Sequence, residues 1–162
     1  MKPMKPEFII LHHSLTADSY TVSWGAIRKY HTLQLGWRDI GYHFGIENIN
    51  GQIEILMGRM PDEFGAHCKQ EGMNRKSVGI CFVGNFDKEP PPEAVWEAGL
   101  KLVAYFCKRH GIPVENVKAH RDYANYKSCP GDMFDMELFR THLLKYLPEE
   151  RIHSHSIEGA PV

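Results

Sequence analysis

Along the chain, apolar positions fall first in a compact run, then at helical spacing, then in paired strand-like runs. "EFIILHHS" is a short, partly β-branched apolar stretch ending in polar residues, and it predicts a buried strand over about residues 7–13. "TVSWGAIRKYHTLQ" follows, with Val22, Ala26, Ile27, Tyr30 and Leu33 at helical spacing and Gly36 placed to close the helix. "YHFGIENINGQIEILM" holds two β-rich runs around Asn50 and Gly51, a dipeptide that tolerates the positive φ angles of a tight hairpin. "SVGICFVG" is apolar at positions of both parities, which suits a central strand buried on both faces.

"PPPEAVWEAGLKLVAYFCKRHG" is the clearest helix. Prolines lead into it, and Val95, Ala98, Leu102, Val103, Phe106 and Cys107 form one face. Gly111 sits where a C-terminal cap belongs. "MELFRTHLLKYL" predicts a last amphipathic helix, stopped by Pro148. The tail from 149 to 162 has no periodic apolar pattern and is expected to be loose. Strands and helices alternate around one hairpin, with no repeat and no linker. The expected fold class is therefore α/β, a mixed central β-sheet flanked by helices, in a single domain of 162 residues.

Composition narrows the function classes. Lys plus Arg is 19 against 20 for Asp plus Glu, so no charge excess points to nucleic acid or an anionic membrane. The apolar run from Phe8 to Leu11 is too short for a secretory signal core or a membrane span. Synthesis in the cytoplasm without a signal peptide is the expectation. Cysteines at 68, 81, 107 and 129 form no CxxC pair, so reduced thiols are expected, each available as a core residue or a metal ligand.

Ten histidines are more than a core needs, and their positions separate them. His153 and His155 lie in the tail, His110 ends a helix, and His142 and His31 lie on helices; surface or structural roles suit all five. His12 and His13 end a strand expected to be central, where α/β sheets collect functional groups. Adjacent strand residues point to opposite faces, so at most one of the two faces a given site. Near the C-terminus, "HRDYANYKSCPG" offers His120 and Cys129, with Lys127 two residues before the cysteine. A strand histidine would complete a set of two histidines and one cysteine. Three protein ligands with the fourth position open is the pattern of catalytic rather than structural zinc. Zinc acidifies water and polarises carbonyls, which makes amide or ester hydrolysis the natural chemistry. An amide also needs a proton for its leaving nitrogen and a donor for its oxyanion. Lys127 could serve the oxyanion, although a lone loop lysine is more often solvated surface.

Four motifs in order resemble the type 2 N-acetylmuramoyl-L-alanine amidases. They are "IILHHS", "GWRDIGYHF", "GAHCKQEGMNRKSVGICFVGNFD" and "HRDYANYKSCPG", and the likeness runs from about residue 7 to 147. That family includes the phage lysozymes of the amidase type and is related to the peptidoglycan recognition proteins. The resemblance implies one zinc ion per chain, in a groove that holds peptidoglycan stems, and cleavage of the amide between N-acetylmuramic acid and L-alanine. Motif by motif, it implies His12, His120 and Cys129 as zinc ligands, and Tyr42 and Lys127 as catalytic residues. It puts His67 near the substrate groove, with Trp37 as an aromatic contact for sugar or peptide and Arg59 as a further substrate-side candidate.

Two departures bear on the branch. "HCKQEGMN" looks longer than in the short phage members, and Cys81 stands where recycling amidases of the cytosol carry a glutamate. Three readings follow: a phage or prophage endolysin acting on the wall after release, a non-catalytic peptidoglycan-binding module, and a recycling amidase for anhydro-muropeptides. Non-catalytic recognition proteins typically lose the cysteine ligand, and this chain has Cys129.

Overall fold

The structure is a computed structural model that describes residues 2–15 and 23–148. Five strands form one sheet in the order β3-β2-β4-β1-β5. They are β1 (Phe8–His13), β2 (Phe44–Ile49), β3 (Gln52–Met57), β4 (Ser77–Phe82) and β5 (Val117–Ala119). β1, β2, β4 and β5 run parallel to one another, and only β3 is antiparallel, paired with β2 through the hairpin. Asn50 and Gly51 both have positive φ, 52° and 86°, as a two-residue hairpin turn requires. The expected mixed sheet flanked by helices is the architecture found.

Three α-helices accompany the sheet: α1 (Ser23–Lys29), α2 (Glu93–His110) and α3 (Met136–Leu143). α2 stops at Gly111, whose φ of 69° accepts the left-handed cap; its N–H donates to the Cys107 carbonyl. The stripe it buries differs from the expected one. Gly99, Leu100 and Ala104 join Val95, Val103, Phe106 and Cys107, while Ala98 and Leu102 are half-buried. Gly99 is central to this, because a Cβ there would come within 2.5 Å of the Phe82 ring. α1 widens into a π-helical turn over Tyr30–Gln34 before Gly36, whose φ is 74°. Val22 and the tail expected to be loose lie outside the described residues.

Alternation along β1 divides the molecule. Ile9 and Leu11 join Val78, Ile80, Phe82 and Ile46 in the main core under α2 and α3, where Phe82 meets Phe134 and Phe139 edge to face. Ile10 faces the other way, with Cys68 and Met73, and His12 shares its parity. β4, buried at all six residues, is central as expected. β5 escaped the apolar pattern because it is three residues long, with Lys118 between Val117 and Ala119. It nevertheless matters most for the site, since it delivers His120.

Candidate metal and catalytic site

His12 is the last but one residue of β1 and His120 follows the last residue of β5, so both stand at the C-terminal ends of adjacent parallel strands. Their rings lie 4.5 Å apart between centroids. Cys129 reaches the same point from the loop. Its sulfur is 3.7 Å from His12 Nδ1 and accepts the His13 backbone N–H at 3.3 Å. The donor atoms of His12, His120 and Cys129 all lie within 4.8 Å of one another, and all three residues are buried. His13 points elsewhere, as strand alternation requires: its Nδ1 accepts the Phe86 N–H at 3.1 Å and its ring stacks on Phe86.

The loop from His120 to Gly131 is held by Arg121 within it and by Asp87 from outside it. Arg121 donates from its guanidinium to the carbonyls of Ser128, Gly131 and Phe134 at 3.2, 2.7 and 3.1 Å. Its backbone N–H bonds the Cys129 carbonyl at 2.8 Å. Asp87 accepts from the Ser128 hydroxyl and the Asp132 N–H, both at 2.9 Å. Charge-assisted bonds of this kind are worth roughly 1.5–3 kcal/mol each, and here they fix where the Cys129 thiol points.

Burial dominates the electrostatics. It holds the His12 imidazole well below its usual range, helped by the neighbouring His67, His120, Lys127 and His13. His120 is lowered to about 4, by burial first and then by Lys127. Both imidazoles are therefore neutral at pH 7, the form that binds metals. Burial pushes the Cys129 thiol up to about 12, against the lowering effects of the His13 N–H, Lys127 and Arg121. Burial also raises Tyr42 well above the ordinary phenol range, with Cys81 and Cys129 adding to the effect. Tyr42 keeps its proton.

A cavity of about 480 Å³ opens over this cluster, and Tyr42, Lys127, Trp37 and His67 line it with the three candidate ligands. Tyr42 lies 5.0 Å from His12 between ring centroids. Lys127 is exposed, with its Nζ 6.0 Å from the centre of the Tyr126 ring. Trp37 packs on His31 at 4.6 Å. The floor continues past His67 and His120 into a second recess lined by Cys68, Gln70 and Tyr126. Arg59 is placed elsewhere: it is buried, it does not line this cavity, and its guanidinium donates to the Ile40, Phe64 and Asp39 carbonyls at 2.9, 2.9 and 3.4 Å.

Sequence reasoning assigned two residues here no role in the site. His31, expected to be structural, both accepts the Gly41 N–H at 3.0 Å and lines the cavity. Cys81 lies beside His12 in the strand register, buried with Trp24, Ile40 and Val83 in a cluster against which Tyr42 packs.

A family model for N-acetylmuramoyl-L-alanine amidase matches residues 2–132. The chain belongs to this amidase family. The endolysin of Klebsiella phage KP32 is 43% identical over 134 residues, which cover 80% of this chain and 82% of the endolysin. Peptidoglycan-recognition protein LB of Drosophila melanogaster is 33% identical over 138 residues, covering 81% of this chain but only 57% of the fly protein. Among solved structures, the N-acetylmuramoyl-L-alanine amidase LysC from Clostridium intestinale URNW superposes with a TM-score of 0.75 at 28% identity, covering 87% of each chain. The family thus joins an endolysin, an amidase and a recognition protein on one fold. No helix of the described residues in this family member is long and apolar enough to cross a membrane.

Proposed function

We propose that this chain is a zinc-dependent N-acetylmuramoyl-L-alanine amidase that cleaves peptidoglycan between N-acetylmuramic acid and L-alanine, in the manner of an endolysin. One observation carries the reading: His12, His120 and Cys129 converge on a single point beneath an open groove that Tyr42 and Lys127 also line. The donor set fits zinc. It combines two neutral imidazoles with one thiol that a metal would deprotonate, and the cavity leaves one side open. Zinc held there would polarise the scissile carbonyl and bring the pKa of water towards ~7.

The chain's own groups do the rest. Tyr42, half-buried and neutral, offers a hydrogen-bond donor on the His12 side of the cavity, which suits orienting a reacting oxygen better than removing its proton. Lys127 places a positive charge at the groove to stabilise the amide oxygen as it gains negative charge. Trp37 supplies an apolar wall against which a sugar or peptide can lie.

Binding without hydrolysis is the competing reading, motivated by the likeness to the fly recognition protein. Cys129 in place beside His12 and His120 supports catalysis over it. Recycling of anhydro-muropeptides is opposed by the buried Cys81 thiol, where a carboxylate would distinguish that branch. Zinc-loaded protein incubated with purified peptidoglycan is expected to release new L-alanine amino termini without new reducing sugar ends. Bound peptidoglycan with neither product would establish the binder.

A further inference from the structure

We infer that His67 is a positioning residue that sets which nitrogen of His12 faces the His120–Cys129 pair; the inference rests on the zinc reading above. His12 presents Nδ1 towards Cys129 and Nε2 towards His67, whose Nδ1 is 2.9 Å away. A neutral imidazole that binds a metal through Nδ1 carries its proton on Nε2, and that proton needs an acceptor. His67 Nδ1 is the acceptor only if the His67 proton sits on its own Nε2. That nitrogen faces the Ser77 carbonyl at 3.4 Å and the Ser77 hydroxyl at 3.3 Å. The Ser77 hydroxyl donates to the Met73 carbonyl at 2.6 Å, so its lone pairs are what it offers His67. Each proton in the series has one place, and the series runs one way, from His12 through His67 and Ser77 to Met73.

The fold keeps a seat for this ring. A Cβ on Gly79, the β4 residue between Ser77 and Cys81, would lie 2.5 Å from His67 Cδ2 and Cγ. The backbone N–H of His67 is tied to the Asn74 side chain at 2.7 Å. His12, His67 and Ser77 are 1%, 8% and 0% exposed, so water does not compete for these bonds. Both His67 nitrogens are committed within the protein, which leaves only ring carbons to face the groove. A substrate finds no free polar atom there, and the effect of His67 passes through His12.

The test uses the whole chain in four forms: wild type, His67→Asn, His67→Gln and Gly79→Ala. Asparagine places Oδ1 where Nδ1 stood and can still accept from His12. Glutamine reaches towards Ser77 instead and leaves the His12 Nε2 proton without its partner. Zinc affinity is measured by competition with a fluorescent chelator, and site geometry by the visible spectrum of the Co²⁺-substituted protein. Thermal melts of the metal-free forms check folding. Outer-shell partners of this kind typically change metal affinity by roughly 10–100-fold, so that loss and an altered Co²⁺ spectrum are expected for His67→Gln and Gly79→Ala, with His67→Asn within about threefold of wild type. Wild-type zinc affinity in His67→Gln, with only KM for peptidoglycan fragments raised, would overturn the inference in favour of substrate contact. Equal weakening in Asn and Gln forms that also melt early would overturn it in favour of simple packing. Absence of zinc binding in the wild type would instead bring down the zinc reading itself, and this inference with it.

Discussion

Lowering the pH from 7.5 to 4.5 sets the His43 imidazole against the fold around it. His43 is fully buried; its Nδ1 accepts the Gly79 N–H at 2.9 Å and its Nε2 faces the Glu63 carbonyl at 2.7 Å. A second proton can go only on Nδ1, where it would confront the Gly79 N–H. Burial, chiefly, holds its pKa at about 4 instead of 6.5, with Arg59 and Arg38 pushing the same way and the Glu63 carbonyl bond opposing. The sign follows from proton uptake. Between these values the unfolded chain binds a proton that the folded chain refuses, so stability is intact above pH 6.5 and falls until about pH 4. At about 1.4 kcal/mol per pH unit, the folded state loses roughly 1–2 kcal/mol by pH 5.5 and roughly 2–3 by pH 4.5. Urea unfolding followed by circular dichroism at pH 7.5, 5.5 and 4.5 measures this, with His43→Asn as the comparison. Asparagine keeps an acceptor for Gly79 but loses the Glu63 contact, so it is expected to cost about 1 kcal/mol at pH 7.5. It should then lose roughly 2 kcal/mol less than wild type on acidification. His12, His67 and His120 are depressed in the same direction and are present in both proteins; His43 is itself part of what lowers His67, so the difference reports His43 together with that coupling. Parallel pH profiles for the two proteins would refute the argument.

Two further outcomes bear on the site. Cys129→Ser is expected to lose the zinc that wild type retains through gel filtration, as metal analysis would show; equal zinc in both would remove Cys129 from the ligand set. Lys127→Ala is expected to keep its zinc and lose hydrolysis by roughly 10²–10³-fold, the scale for removing one oxyanion partner, and digestion of cell walls at the wild-type rate would make the lysine mere surface.

The parts of the fold legible in the sequence were those where local chemistry is decisive. Asn50-Gly51 predicted its hairpin because few dipeptides accept two positive φ angles, and Gly111 marked the end of α2 for a related reason. "SVGICFVG" predicted a central strand because a strand covered on both faces has no polar parity. β5 was missed because three residues hold no period, and Lys118 breaks what apolar signal there is. The expected α2 stripe held at Val95, Val103, Phe106 and Cys107 but lacked Gly99, Leu100 and Ala104, because a glycine carries no apolar signal until Phe82 is seen to lie against it.

The same division runs through the site. The sequence alone determined its chemical types: histidine at the end of an apolar strand, and histidine, lysine and cysteine within one polar loop, on motifs that resemble one family. Strand alternation even separated His12 from His13. Only the tertiary structure decided which nitrogen of His12 faces Cys129, that His67 stands behind it with both nitrogens occupied, and that Arg59 serves backbone carbonyls away from the groove. These are properties of distance and direction between residues 5 to 117 apart in the chain. A linear pattern records which donors exist, but burial and packing set where their protons and lone pairs point.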